Sequence, residues 1–374
     1  MATGKTNTAL GLAKAGKNDE FYTLLEDIET EMVYYRDQFQ GKTIFLNCDD
    51  PEESNFWKYF SLNFDFLGLK GLISTHYVYE NEEGPAYMLR YDAQAGTNNE
   101  KVTKKLLSGD GDFRSKECLE LLEEADIVIT NPPFSLWREY LATLVEYEKQ
   151  FIILGSLNAV TYQDVFPLIK NNKLWWGVSR NGSGSMWFRV PKDAPDKTGQ
   201  KIDEKGNKYQ TIGNTCWYTN MEHKQRHEEL ILTKFYESNE NDYPYYDNYN
   251  AIEVSRVANI PMDYEGVMGV PITFLGKYNP DQFEIMGMTK TPICHDNNIG
   301  AERIKTYSNV IQIKEGVQSS GNKINDGSAL LYKEVPTTPI YYIAENLNGY
   351  LVAQFPRILI KNKRAVSKEE ILGL

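Results

Sequence analysis

The chain has little from which to build a disulfide framework or a zinc site. Its four cysteines, Cys48, Cys118, Cys216 and Cys294, are scattered and form no Cys-x-x-Cys pair, which fits reduced thiols in cytoplasm. No apolar run approaches the roughly 20 residues that span a bilayer, and no signal-peptide pattern opens the sequence. Zinc-finger and helix-turn-helix spacings are missing too. Gly4-Lys5-Thr6 echoes the end of a phosphate-binding loop, but the first glycine of that motif and a preceding strand are lacking. His223 and His227 stand at i, i+4 with no third metal ligand in view, and they read as surface residues. Positive charge is also short. Forty basic side chains face 52 acidic ones, for a formal net charge of −12. Such an average surface repels polyanions, so any cleft that binds one must be locally basic. Candidates are Arg180 and Arg189, Lys224 and Arg226, Arg303 and Lys305, and the tail Arg357, Lys361, Lys363 and Arg364.

What is present centres on Ala125 to Phe134. Ile127-Val128-Ile129-Thr130 is apolar or β-branched without alternation, the pattern of a strand buried on both faces in a parallel α/β sheet. Asn131-Pro132-Pro133-Phe134 follows, and two prolines forbid both helix interior and ladder donation, so the strand stops at Asn131. From Ser135 to Tyr147, Leu136, Tyr140, Leu141, Leu144 and Val145 recur at helical spacing. Strand, rigid elbow and helix form the place where open α/β sheets put ligands, outside the carboxyl ends of the strands. Such an elbow suits methyl transfer to an exocyclic amine. The lone pair of that amine is delocalised into its ring, and acceptors aimed at both N–H bonds would localise it. The Asn131 side-chain oxygen and the Pro132 carbonyl are two such acceptors. Phe134 offers a flat face on which a base could stack.

Asn131-Pro132-Pro133-Phe134 resembles the catalytic motif of S-adenosylmethionine-dependent amino-methyltransferases in its adenine-N6 form. Further stretches are similar to the EcoRI-type adenine-specific DNA methyltransferase family. They are Asp19 to Thr23, Asn47 to Phe56, Gly109 to Ser115 and Gly269 to Phe274, and the resemblance runs over roughly residues 17 to 360. It implies a Rossmann-like α/β catalytic domain that binds S-adenosylmethionine, over residues 1–236. A C-terminal mixed α+β target-recognition domain would follow over residues 237–374. The implied activity is site-specific methylation of adenine N6, with the base flipped out of duplex DNA. Asn131, Pro132, Pro133 and Phe134 take the catalytic positions. Phe21, Tyr22, Thr23, Asn47, Asp49, Asp50, Pro51, Asp112 and Phe113 take the cofactor positions, and no metal is implied. A cognate restriction endonuclease or a phage setting is left open.

Along the chain, Phe21-Tyr22-Thr23 precedes an amphipathic helix from about Leu24 to Tyr35 and resembles the motif beside the methionine part of the cofactor. Thr23 with Glu26 also reads as a capping box. Lys42 to Leu46 is a strand that enters Asn47-Cys48-Asp49-Asp50-Pro51. Glu52, Glu53, Ser54 and Asn55 stand there where nucleotide-binding loops are glycine-rich, and carboxylates suit a sulfonium and an ammonium better than a pyrophosphate. Gly71 to Thr75 is a second strand. No acid ends it to hold ribose hydroxyls, and Glu80 lies five residues past Thr75. Tyr87 to Tyr91 reads as a strand and Asn98 to Ser108 as a helix. Asp112 and Phe113 resemble the pair beside the cofactor's adenine. Phe151 to Leu154, Met186 to Val190 and Cys216 to Thr219 complete the sheet, with an exposed hairpin or loop at 191–213. Trp217 and Tyr218 read as sheet core or as contacts to a flipped base. Glu237 to Asn250, rich in tyrosine and asparagine, reads as a linker, and a final strand covers Ile358 to Lys361. The alternatives are methyl transfer to RNA or to a protein glutamine, and a non-catalytic DNA-binding module that keeps the fold.

Overall fold

A computed structural model of the protein describes residues 21–48, 50–79, 84–92, 101–179, 186–290, 302–345, 347–366 and 370. It divides into two compact units. Met1–Leu157 with Leu174–His223 forms the first, and Asn158–Lys173 with Lys224–Leu374 the second.

The first unit carries, in chain order, β1 (Tyr22–Thr23), β2 (Thr43–Leu46), β3 (Gly71–His76), β4 (Tyr87–Asp92), β5 (Val102–Leu106), β6 (Ile127–Thr130) and β7 (Gln150–Ser156). After these come β8 (Trp175–Trp176), β9 (Trp187–Val190), β10 (Lys201–Ile202), β11 (Lys208–Thr211) and β12 (Thr215–Thr219). Eight of them form one sheet in the order β5-β4-β3-β2-β6-β7-β12-β8. Its centre, β3-β2-β6-β7, is parallel, and antiparallel strands flank it on both sides. β2 and β6 are buried along their whole length, as their unbroken apolar runs require. Helices complete the core. Leu25–Met32 buries Ile28 and Met32, and Trp137–Glu146 buries Trp137, Tyr140, Leu141 and Leu144 while Val145 faces outward. Ser54 and Ser115 cap the helices Asn55–Leu62 and Lys116–Glu124 by accepting from the amides of Phe56 and Cys118.

Three expectations change here. The described part of Asn98–Ser108 is not helix but the edge strand β5. Val102 and Thr103, β-branched, find a ladder on β4, and pairing overrides local helix preference. Met186–Val190 does not close the large sheet. β9 joins a separate sheet of order β1-β9-β11-β10, in which β10 and β11 are an antiparallel hairpin within 191–213. The capping box at Thr23 is absent, since Thr23 pairs with Phe188 in that sheet. The helix starts from Leu24 with no side-chain cap.

One buried carboxylate belongs to this scaffold. Glu31 accepts from the amides of Val178 (2.9 Å) and Ser179 (2.7 Å), from the Ser179 hydroxyl (2.5 Å) and from the Tyr35 hydroxyl (2.8 Å). Burial pushes its pKa above the ordinary value, against the pull of those four bonds.

The second unit begins at Lys224, earlier than the expected boundary at 237, and takes in residues 158–173. Apart from the α-helix Phe166–Lys170 and the helical residue Glu370, its described regular structure is strand and 3-10 turn. A four-stranded sheet has the order β13-β14-β21-β15 (Ile252–Glu253, Met268–Pro271, Arg357–Asn362, Phe283–Met288), so the expected final strand lies inside it. A five-stranded sheet has the order β17-β16-β19-β20-β18 (Val317–Ser320, Ile311–Lys314, Ile340–Ile343, Tyr350–Ala353, Ala329–Tyr332). The tyrosine-rich stretch is not a linker. Tyr243, Tyr246 and Tyr249 are buried in this unit, and the Tyr243 and Tyr246 hydroxyls donate to the Asn259 carbonyl and to Glu253. A tyrosine ring can serve a core once its hydroxyl has a partner.

Candidate active site

β2 has β3 on one side and β6 on the other, so the strand order reverses between β2 and β6. Open α/β sheets bind ligands outside the carboxyl ends of the strands at such a point. The carboxyl end of β2 leads into Asn47-Cys48, and that of β6 into Asn131. One hydrogen bond ties these ends together, and a second ties the first of them to the helix Trp137–Glu146. The Thr130 hydroxyl donates to the Asn47 carbonyl, and the Tyr140 hydroxyl donates to the Asn47 side-chain oxygen. Asn47 is thereby buried and engaged within the protein, which makes it a brace between the two loops. Cys48 has φ +73°, a left-handed backbone uncommon for a side-chain-bearing residue. It makes the sharp turn that glycine makes in glycine-rich loops.

A cavity of about 480 Å³ opens beside these ends, lined by Phe21, Tyr22, Cys48, Asp50, Glu52, Glu53, Asn131, Pro133 and Arg189 among others. Asn131 Nδ2 donates to the Phe21 carbonyl at 2.6 Å. A carbonyl can only accept, so this bond fixes which end of the amide is nitrogen. Pro132 is buried and Pro133 half-buried. The Pro133 carbonyl accepts from the Leu136 amide at 3.0 Å and starts the turn into the helix Trp137–Glu146. Phe134 is half-buried and meets the Phe21 ring edge-on, 6.2 Å between centroids. It is not among the residues that line the cavity.

Carboxylates of the loop after β2 each meet a basic side chain from a different element. Asp50 faces His76 Nδ1 at 3.1 Å, Glu52 faces Lys104 at 3.2 Å, and Glu53 faces Arg189 at 2.5 Å. The Lys104 partnership holds the Glu52 carboxyl below its usual range. Pro51 is buried, and Thr23, also buried, offers its carbonyl to the Asn55 side chain at 2.7 Å. Asp49 lies outside the described residues, as do Glu80 and Arg180.

Asp112 and Phe113 stand a little apart, off the cavity wall. Their loop is laid against the end of β3, where Gly111 at φ +84° leaves no room for a side chain, since a Cβ would sit 2.4 Å from the His76 carbonyl. Phe113 is buried edge-on against Tyr140, at 5.0 Å. Asp112 accepts from the Arg114 guanidinium at 2.6 and 2.8 Å and from the Arg114 amide at 2.8 Å. Burial works to raise the Asp112 pKa, and the Arg114 bonds outweigh it and hold it below the ordinary value. A carboxylate has about four acceptor positions, so an exocyclic amine would have to share Asp112 with Arg114.

The sequence reading left out Tyr77, Tyr79 and Asn207, which also line the cavity, and gave Arg189 only as one basic candidate among several. Tyr77 and Tyr79 follow the carboxyl end of β3, a position that could have marked them. Trp217 and Tyr218 are fully buried sheet core. His223 is not a surface residue. It is buried with its ring nitrogen 3.0 Å from the Trp176 carbonyl, while His227 faces Asp281 at 2.9 Å. Among the described residues no group of three acids, histidines or cysteines could hold a metal ion. None of the described helices is long and apolar enough to cross a membrane.

A family model described as adenine-specific methyltransferase EcoRI matches residues 9–363. The chain belongs to that family. It is 48% identical over 301 residues to the type II methyltransferase M.EcoRI of Escherichia coli, covering 78% of this chain and 92% of that protein. It is 42% identical over 283 residues to the type II methyltransferase M.MgeORF184P of Mycoplasma genitalium, covering 75% and 86%. A third relative, the type II methyltransferase M.MpnI of Mycoplasma pneumoniae, is 40% identical over 283 residues, covering 75% and 85%. No solved structure matches the chain. As a member of this family the protein is an adenine-specific methyltransferase, and the elbow Asn131 to Phe134 lies within the matched span.

Proposed function

We propose that the protein methylates N6 of an adenine flipped out of duplex DNA at a specific sequence, with S-adenosylmethionine bound in the cavity beside β2 and β6. One observation carries this reading. Asn131, its amide oriented by the Phe21 carbonyl, lines the same cavity as the carboxylates of residues 50–53. A cavity of about 480 Å³ is of ordinary ligand size. Its acids suit a cofactor that carries a sulfonium and an ammonium, and disfavour a pyrophosphate. When bound, S-adenosylmethionine supplies the electrophilic methyl group.

The protein's part is to make the adenine amine a better nucleophile. The Asn131 oxygen and the Pro132 carbonyl accept from its two N–H bonds, pull the nitrogen toward tetrahedral geometry and localise its lone pair. No general base is needed, because the methylated ammonium loses its proton to water. The amine cannot reach an elbow at a sheet edge while its base stays stacked, so the adenine must leave the duplex. Every cavity-lining residue belongs to the first unit, which leaves the second unit for target recognition. The test is to supply methyl-labelled S-adenosylmethionine and count label in DNA, RNA and protein. Label at adenine N6 in DNA is the expected result, and label confined to RNA or to protein glutamine would overturn it.

A further inference from the structure

Of the three pairs of an acid with a basic side chain around the loop after β2, Glu53–Arg189 differs from the others. In the Glu52–Lys104 pair the cation does not line the cavity and lies instead over the Tyr87 ring at 3.4 Å. In the Asp50–His76 pair the cation exists only while the imidazole is protonated. Glu53 and Arg189 both line the cavity, and a guanidinium keeps its charge at any working pH.

The Arg189 backbone is held on both sides, by Tyr22 of β1 and Tyr209 of β11, and its guanidinium lies over the Tyr22 ring at 4.7 Å. Lys192, the other strong cation on the cavity wall, is exposed and lies beyond the strand. The neighbouring residue Phe21 orients Asn131 through its carbonyl. Two consecutive residues thus set the catalytic amide and the guanidinium within one cavity.

We propose that Arg189 and Glu53 form the subsite for the amino-acid end of S-adenosylmethionine, Arg189 taking its α-carboxylate and Glu53 its α-ammonium. This rests on the cofactor reading above. The zwitterion is the complement of the pair: one carboxylate and one ammonium on a single carbon, opposite one guanidinium and one carboxylate 2.5 Å apart. Arg matches a carboxylate with two parallel N–H bonds. The existing pair is about one-third to one-half exposed, and ion pairs so exposed are weak, so exchanging it for two ligand contacts costs little. The same cavity holds Asn131, as it must if the sulfonium, three bonds from the head-group carbon, is to present its methyl there.

The test is calorimetry on the full chain with S-adenosylmethionine, its decarboxylated analogue and methylthioadenosine, which lacks the amino-acid end. The unmutated protein should bind the decarboxylated analogue about ten- to a hundredfold more weakly than S-adenosylmethionine, the range for one lost charge-assisted hydrogen bond or two. Arg189→Gln should weaken S-adenosylmethionine by a similar factor and leave the decarboxylated analogue unchanged. Glu53→Gln should weaken both of these and spare methylthioadenosine. Equal binding of the two donors by the unmutated protein would refute the subsite without any variant. So would an Arg189→Gln protein that binds all three compounds more weakly by one common factor. An unmutated protein that binds none of them refutes the cofactor reading itself.

Discussion

Glu253 with Arg357 in the second unit and Glu53 with Arg189 in the first are chemically the same pair. Glu253 and Arg357 have side chains 6% and 11% exposed and are joined by hydrogen bonds of 2.6, 3.0 and 3.1 Å, with the Tyr246 hydroxyl also donating to Glu253. β13 supplies one partner and β21 the other. Glu53 and Arg189 are 50% and 31% exposed and share one contact at a cavity wall. Burial decides what each pair is for. A desolvated pair that loses one partner strands a charge, so Glu253 and Arg357 are bound to the integrity of their sheet. A wet pair can be taken apart cheaply, which suits a place where a ligand enters.

The strongest challenge to this contrast is Arg357→Ala. It should lower the stability of the second unit by about 3–5 kcal/mol in urea unfolding, while Arg357→Met combined with Glu253→Gln should lose much less. A loss below about 1 kcal/mol for Arg357→Ala would put the buried and exposed pairs in one class.

Next in size is Asn131→Ala. The methyl-transfer rate should fall about a hundred- to a thousandfold, the range for one preorganised polar group, with affinity for S-adenosylmethionine within about threefold. An affinity loss as large as the rate loss would mean that Asn131 serves the cofactor and not the amine.

Phe134→Ala follows, with up to about two decades lost in transfer rate if a full base-stacking energy of roughly 1–3 kcal/mol is at stake. Phe134→Trp keeps a π face and should retain most of the rate. Because Phe134 packs edge-on against Phe21, equal losses in Ala and Trp variants would reduce it to a prop for that ring.

The smallest effect expected on stability is that of Glu53→Gln, within about 1 kcal/mol by the same urea measurement. A larger loss would show that the wet pair also carries structural weight and would blur the contrast from the other side.

The sheet centre and its elbow were legible from the sequence for one reason. A strand buried on both faces cannot alternate, so Ile127 to Thr130 announces itself, and the following prolines end it wherever the rest of the chain goes. That put Asn131 at the carboxyl end of a central strand, where it is found. The same local logic failed where pairing partners decide. Val102 to Leu106 became an edge strand because β4 was there to receive it, and Thr23 gave up a helix cap for a place beside Phe188. Tyr243, Tyr246 and Tyr249 looked like linker residues because composition does not reveal that a hydroxyl will find Asn259 or Glu253.

The residue types of the site, an Asn-Pro-Pro-Phe elbow and a carboxylate loop in place of a glycine-rich one, were set by the sequence alone. Which residues share a wall was not. Glu53 and Arg189 lie 136 positions apart. β9, which carries Arg189, pairs with β1 in the smaller sheet and not with the large one, and a pairing between distant backbone segments leaves no periodicity in either segment from which it could be read.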